Sequence, residues 1–110
     1  VDVTGVTTTV TVGTARRIKV SGWLHAETTV AGDTLAIEIQ QDSVRIKLLQ
    51  IAIATANQSY LFYVQHVLTP SAGSHTYKLT AQRAAGTGTI TIANTSDREA
   101  HILVEDIGAA

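Results

Sequence analysis

Four histidines, nine acidic residues and one tryptophan are the side chains in this chain best equipped for chemistry, and their spacing organises little of it. A metal centre needs ligands that converge at short distance, and His25, His66, His75 and His101 form no H-x-H or H-E-x-x-H pattern. His25 and Glu27 come nearest, two apart on one predicted strand face, where a metal would still need a third ligand; an ordinary polar outer face is the expectation. Asp33, Asp42, Asp97 and Asp106 sit in or near predicted turns, but the D-x-[DN]-x-[DN]-G loop of a calcium site is missing. Asx hydrogen bonding in turns accounts for most of them. Glu105 and Asp106, beside Val104 and Ile107, call for cationic partners, with Arg83, Arg98 and Lys78 as candidates for a structural salt bridge. The sequence has no G-x-S-x-G elbow and offers no Ser/His/Asp set in strand-to-turn context. Glu27, Glu38, Glu99 and Glu105 are not brought together as a glycosidase pair requires. The expectation is a protein that is not an enzyme and holds no cofactor and no metal.

The aromatic residues are Trp23, Tyr60, Phe62, Tyr63 and Tyr77. Tyr60, Phe62 and Tyr77 share strand faces with apolar neighbours and are expected in the core. Trp23 and Tyr63 fall on the opposite faces of their strands. There they would either stack on a sugar or fill a subunit interface, where Trp and Tyr are enriched; the interface is the expectation.

The elements that must position these residues are strands. Turn signals recur about every 8–14 residues, a spacing that suggests a sandwich or barrel. The predicted strands are Val6–Val12, Arg16–Thr28, Thr34–Gln41, Val44–Ala54, Gln58–Thr69, His75–Ala84, Thr87–Ala93 and Arg98–Ile107. No helix is predicted, and a bulge is expected at Leu48-Leu49, where the apolar alternation slips. In the second strand Ile18, Val20, Gly22, Leu24 and Ala26 form a core face. Arg17, Lys19, Ser21, Trp23, His25 and Glu27 form a wet one. The fourth, fifth and last strands are apolar on both faces. That pattern predicts one sheet covered by a neighbouring copy, with Tyr63, Leu103 and Ile107 in the contact. Ligand recognition is then expected on a different surface: on Trp23 and His25 of the outer sheet, or on loops such as Thr55–Ser59 and Thr69–His75. In the last of these, Ser71 and Ala72 stand at the tip. Thr-x-Thr runs at Thr7–Thr11 and Thr87–Thr91 point to soluble edge strands.

Composition sets the outer bounds. The chain has 110 residues, enough for one domain with a real core. Residues 1–5 are expected to be the end of an upstream linker, and the opening Val predicts a trimmed chain. With no cysteine, disulfides and thiolate sites are excluded. Eight Lys and Arg in a net charge of −1 argue against nucleic acid, and no apolar run reaches the ~20 residues of a membrane-spanning helix. Threonine is roughly one residue in six, which favours strands. Charged residues make up 15%, against a usual share of about 25%, which points to burial beyond the monomer's own core.

Three segments carry a family resemblance: Gly73-Ser74-His75-Thr76-Tyr77-Lys78-Leu79, the Ala85-Gly86-Thr87-Gly88-Thr89-Ile90-Thr91-Ile92 hairpin, and His101-Ile102-Leu103-Val104-Glu105-Asp106-Ile107-Gly108. With the Val30-Ala31-Gly32-Asp33 turn upstream, they resemble the C-terminal end of small all-β virion proteins of tailed bacteriophages, often phages of actinobacteria. The resemblance runs from about Val10 to Gly108, and the closing segment is its distinctive part. It implies an antiparallel β-sandwich of jelly-roll type (TNF/C1q-like) with about eight strands; a compact barrel is the alternative. It also implies a minor tail, fibre-head or capsid-decoration module of a virion, assembled in the host cytoplasm. The expected partners are other copies in a homotrimer, other virion proteins and a host cell-surface glycan, without membrane insertion. A stand-alone carbohydrate-binding or C1q-like recognition module is the second reading.

Overall fold

Alternating apolar and polar residues drive each strand to one side of a sheet, and the described residues form eight strands and no helix. A computed structural model describes residues 3–93 and 95–110. The strands are β1 (Val3–Val12), β2 (Arg16–Thr28), β3 (Thr34–Gln41), β4 (Val44–Ala52), β5 (Tyr60–Leu68), β6 (Gly73–Ala85), β7 (Ile90–Ile92) and β8 (His101–Ala109). They form two antiparallel sheets packed as a β-sandwich. One runs β1-β6-β3-β4. The other runs β5-β2-β7, with β8 also paired to β2. β8 lies along the first half of β2, from Arg16 to Trp23, and β7 along its end, from Ala26 to Thr28. The pairs β1–β6, β2–β5 and β3–β4 nest inside one another.

Val20, Leu24, Leu35, Ile37, Ile39, Tyr77 and Leu79 are fully enclosed between the sheets, with Phe62 and Val64 beside them. The Tyr77 hydroxyl donates to Gln41 Oε1 at 2.9 Å, which satisfies its polar tip, and burial raises its pKa. Tyr60 is half-buried against the same core.

Several boundaries differ from the sequence expectation for local reasons. β1 begins at Val3, inside the stretch expected as a linker, because Val3 and Thr4 pair with Ala81 and Thr80 of β6. The β3–β4 bulge lies at Ile46 rather than at Leu48-Leu49. Gln40 pairs with Arg45 and Ile39 with Lys47, so Ile46 is left to turn onto the core. β7 is shorter than Thr87–Ala93, because the amides of Thr87 and Gly88 bond to a side chain instead of a strand.

That side chain is Asp33, which is buried. Its Oδ2 accepts from Thr28 Oγ1 at 2.7 Å and from the Gly88 amide at 2.9 Å, while Oδ1 accepts from the Thr87 amide at 3.2 Å. These donors hold its pKa below the ordinary carboxylate value; the Thr28 hydroxyl acts most strongly, and burial opposes them. Arg83 closes the loop by donating to the Gly88 carbonyl. A Cβ on Gly88 would lie 2.4 Å from Asp33 Oδ2, and one on Gly86 would lie 1.9 Å from Oδ1. The two glycines of the G-T-G-T run therefore let the backbone close around one carboxylate.

Candidate functional surface

β2 places Lys19, Ser21, Trp23 and His25 on its outward side by simple alternation. Pairing with β5 sets Val67, Gln65, Tyr63 and Leu61 beside them in that order. Pairing with β8 sets Glu105 beside Lys19, Leu103 beside Ser21 and His101 beside Trp23. One outer face thus gathers Leu61 (61% exposed), Tyr63 (53%), Leu103 (47%), Val67 (46%) and, at the β8 bulge, Ile107 (40%). At its centre Trp23 stacks on His101 with ring centroids 4.9 Å apart and on Tyr63 at 6.3 Å, both 21° from parallel. The Tyr63 hydroxyl donates to Gln65 Oε1 at 3.1 Å. Ser21 lies buried beneath this row. Arg17, Lys19, Glu27 and Glu105 lie around it. An apolar and aromatic centre with charges at the margin has the anatomy of an interface core and rim. Beyond Tyr63, a groove of about 440 Å³ runs between the β4 and β5 edges, lined by Lys47, Leu48, Leu49, Tyr63, Val64 and Gln65.

The sequence expectation put the contact residues Tyr63, Leu103 and Ile107 on one surface and the ligand residues Trp23 and His25 on another. The structure puts all five on the same face. Strand parity identified each side chain's direction. It could not reveal that β5 and β8 both flank β2, because that depends on pairing.

His25 also opens onto a shallow cleft of about 620 Å³ at the β4–β5 loop, lined by Thr55, Ala56, Asn57, Gln58, Ser59 and Arg98. The His25 Nδ1 is enclosed and has no hydrogen-bond partner among the described residues. A smaller hollow of about 110 Å³, lined by Glu27, Ser59, Thr91, Ala93 and Arg98, shares Ser59 and Arg98 with it.

Ser71 and Ala72 lie at the other end of the sandwich. Leu68, just before them, pairs with Ile18, whereas Tyr60 at the cleft end pairs with Ala26. Both are exposed, but Pro70 is buried and the segment is clasped. His75 Nδ1 lies 2.6 Å from Asp42 Oδ2, and His75 Nε2 lies 2.7 Å from the Ser71 carbonyl. Asp42 Oδ1 also accepts from the Thr76 amide at 2.9 Å. Asp42 and Ser43 form a two-residue β3–β4 turn with φ of 50° and 71°.

The clasp contains a Ser, a His and an Asp, a set that spacing does not reveal, because positions 42, 71 and 75 meet only through β3–β6 pairing. Ser71 Oγ is 3.4 Å from His75 Nε2. That nitrogen already faces a carbonyl at 2.7 Å and must carry its proton there. With acceptors at both ring nitrogens, the imidazolium is favoured. The His75 pKa is raised, chiefly by Asp42 and then by the Ser71 carbonyl, against a smaller burial effect. An imidazole held in that state cannot take a proton from Ser71, so the trio ties two loops together.

Asp106 pairs with Arg16, a partner the sequence expectation did not include. Arg16 Nε donates to Asp106 Oδ2 at 2.8 Å and Arg16 Nη2 to Oδ1 at 2.7 Å, a two-pronged contact in the open. Glu105 points to the rim of the apolar face.

No protein-family model matches this chain, and no curated protein matches it.

Proposed function

We propose that the chain is a non-catalytic assembly module: a rigid β-sandwich that binds copies of itself through the outer face of the β5-β2-β8 sheet. The observation that carries this reading is the row of Leu61, Tyr63, Val67, Leu103 and Ile107, 40–61% exposed around a stacked Trp23. A single soluble domain has no folding reason to expose such a face, and contiguous apolar patches of this kind mark contact surfaces. Burying about 400 Å² of it per copy contributes about 10 kcal/mol at ~25 cal/mol per Å². Association costs about 4–15 kcal/mol, a range that burial of this size is large enough to meet.

The virion role follows from the resemblance of the last third to tailed-phage tail, fibre and decoration proteins. The nested strand pairing supports a jelly-roll reading, since rolling up one long hairpin produces that order. On this reading the assembly is a homotrimer within a virion, built in the host cytoplasm, with other virion proteins as neighbours. Light scattering over a concentration series tests it. The expected result is three times the mass of one chain; the mass of one chain at micromolar concentration refutes self-association through this face.

A further inference from the structure

We infer that the cleft between His25, the Thr55–Ser59 loop and Arg98 is a carbohydrate-binding site, complete within one copy of the chain. Thr55 and Ser59 bring hydroxyls, Asn57 and Gln58 bring amides, Arg98 brings a planar set of donors, and Ala56 is the one apolar residue. Sugar hydroxyls both donate and accept, so a mixed lining suits them better than it suits an apolar ligand. No acid lines the main cleft, and Arg98 forms no ion pair among the described residues. The neighbouring Asp97 carboxylate lies within electrostatic range of Arg98 and His25, and the planar guanidinium presents several donors that can bridge two neighbouring hydroxyls. The volume of about 620 Å³ lies within the ~300–1,000 Å³ of small-molecule sites.

The loop that carries the lining is fixed in advance. Asn57 adopts φ of 57°, and its amide donates to the Thr28 carbonyl at 2.8 Å, anchoring the loop tip to the end of β2. Binding there need not order a mobile segment. Trp23 stands two residues from His25 on the same face of β2, and Leu61 lies opposite His25. Both belong to the proposed contact face, and neither lines the cleft, which meets that face only at His25. Competing ligand classes fit less well. The described residues hold no group of three metal ligands, and a single arginine is too few for a nucleic-acid track.

The test is an NMR titration of nitrogen-labelled protein with glucose, galactose, N-acetylglucosamine and glucuronic acid, with inorganic phosphate as a further probe. The expected result is saturable shifts confined to His25, Thr55–Ser59 and Arg98 with at least one sugar. Gln58→Ala and Arg98→Ala should each weaken that sugar about tenfold, while Ser71→Ala at the far end should leave it unchanged. Should Arg98→Ala fail to fold, Arg98→Lys replaces it; it keeps the charge but loses the planar fork, and is expected to weaken binding as well. Shifts with none of the sugars, with phosphate alone, or only outside the cleft overturn the inference. The site's independence of assembly is checked on Leu103→Asp. A single-chain mass with sugar binding intact is expected, and a folded single chain that no longer binds overturns completeness within one copy.

Discussion

The two outer faces of this sandwich are built by the same alternation and hold opposite chemistry. On the β1-β6-β3-β4 sheet the outward positions of β1, β6 and β3 are Thr7, Thr9, Thr11, Ser74, Thr76, Lys78, Thr80, Glu38, Gln40 and Gln82, with Ala36 among them and Leu48 of β4 beside Glu38. Several of these polar groups bond to one another. Thr9 and Thr76 share a hydrogen bond of 2.9 Å, and Glu38 accepts from Gln40 at 3.2 Å and from Gln82 at 3.1 Å, with Arg45 3.7 Å away. On the β5-β2-β8 sheet the outward positions carry Leu, Val, Ile and stacked rings. A sandwich needs one apolar face per sheet, and the core supplies both. The second apolar face on β5-β2-β8 therefore exceeds what folding requires. The contrast separates residues that make the domain from residues that make its contacts.

The largest expected effect comes from reversing that contrast at one position on each face. Leu103→Asp puts a charge in the middle of the apolar row, where burial without a partner is costly. Self-association should weaken on the order of a hundredfold or more, with the fold retained because Leu103 points away from the core. Thr9→Asp makes the same change in charge on the polar face and should leave the mass unchanged. Light scattering and circular dichroism on the two variants read both outcomes. Equal dissociation by both would mean that net charge, not the face, controls assembly.

A smaller effect is expected from making the polar face locally apolar. Glu38 is buried, and its carboxylate is the acceptor for the Gln82 amide. Glu38→Leu should cost about 1–3 kcal/mol of folding stability, because the half-buried Gln82 amide loses its charged acceptor. Urea unfolding measures that loss. The mass should not change, since a lone leucine does not make a patch. New association in this variant would show that any exposed apolar side chain suffices and would remove the distinction between the faces.

Much of this was legible in the sequence. All eight strands were, because alternation and turn residues act locally, and so was the outward direction of Trp23, Tyr63 and Leu103. Their gathering on one face was not, because β8 reaches β2 across more than half the chain and register is set by tertiary pairing. The cleft was half legible: His25 and the Thr55–Ser59 loop were each singled out, and only the fold brings Arg98 to them. The Thr69–His75 loop is the other loop on which recognition is expected. Length and composition cannot reveal that His75 folds back to hold its carbonyl. Asp33 is the converse case. V-A-G-D and G-T-G-T stood out as motifs, and one carboxylate explains why they occur together.

The smallest effect is a pH dependence that touches neither outer face, and so separates folding from association. His75 sits between Asp42 and the Ser71 carbonyl, with the Tyr77 ring 6.4 Å away. Its pKa is raised from the ordinary 6.5, so the clasp's contribution is fully present below that value and is lost as pH rises through the folded-state pKa. The Asp42 pKa is lowered from the ordinary 3.8, first by the Thr76 amide and then by His75. Its share is therefore present above that value and lost as pH falls through the folded-state pKa. The clasp should contribute most between about pH 4 and pH 6.5 and fade on either side. A pH profile of wild type alone sums every ionisable group in the chain and cannot isolate the clasp. His75→Gln removes the charge and keeps a donor. The difference in denaturant midpoint between wild type and His75→Gln should peak in that window and shrink toward pH 9. A difference that is flat with pH would mean that His75 stabilises the loops through its shape and neutral hydrogen bonds, with no share from its charge. The mass of the assembly should follow neither variant's profile, because the clasp lies at the end of the sandwich, away from the Tyr63–Trp23–His101 row.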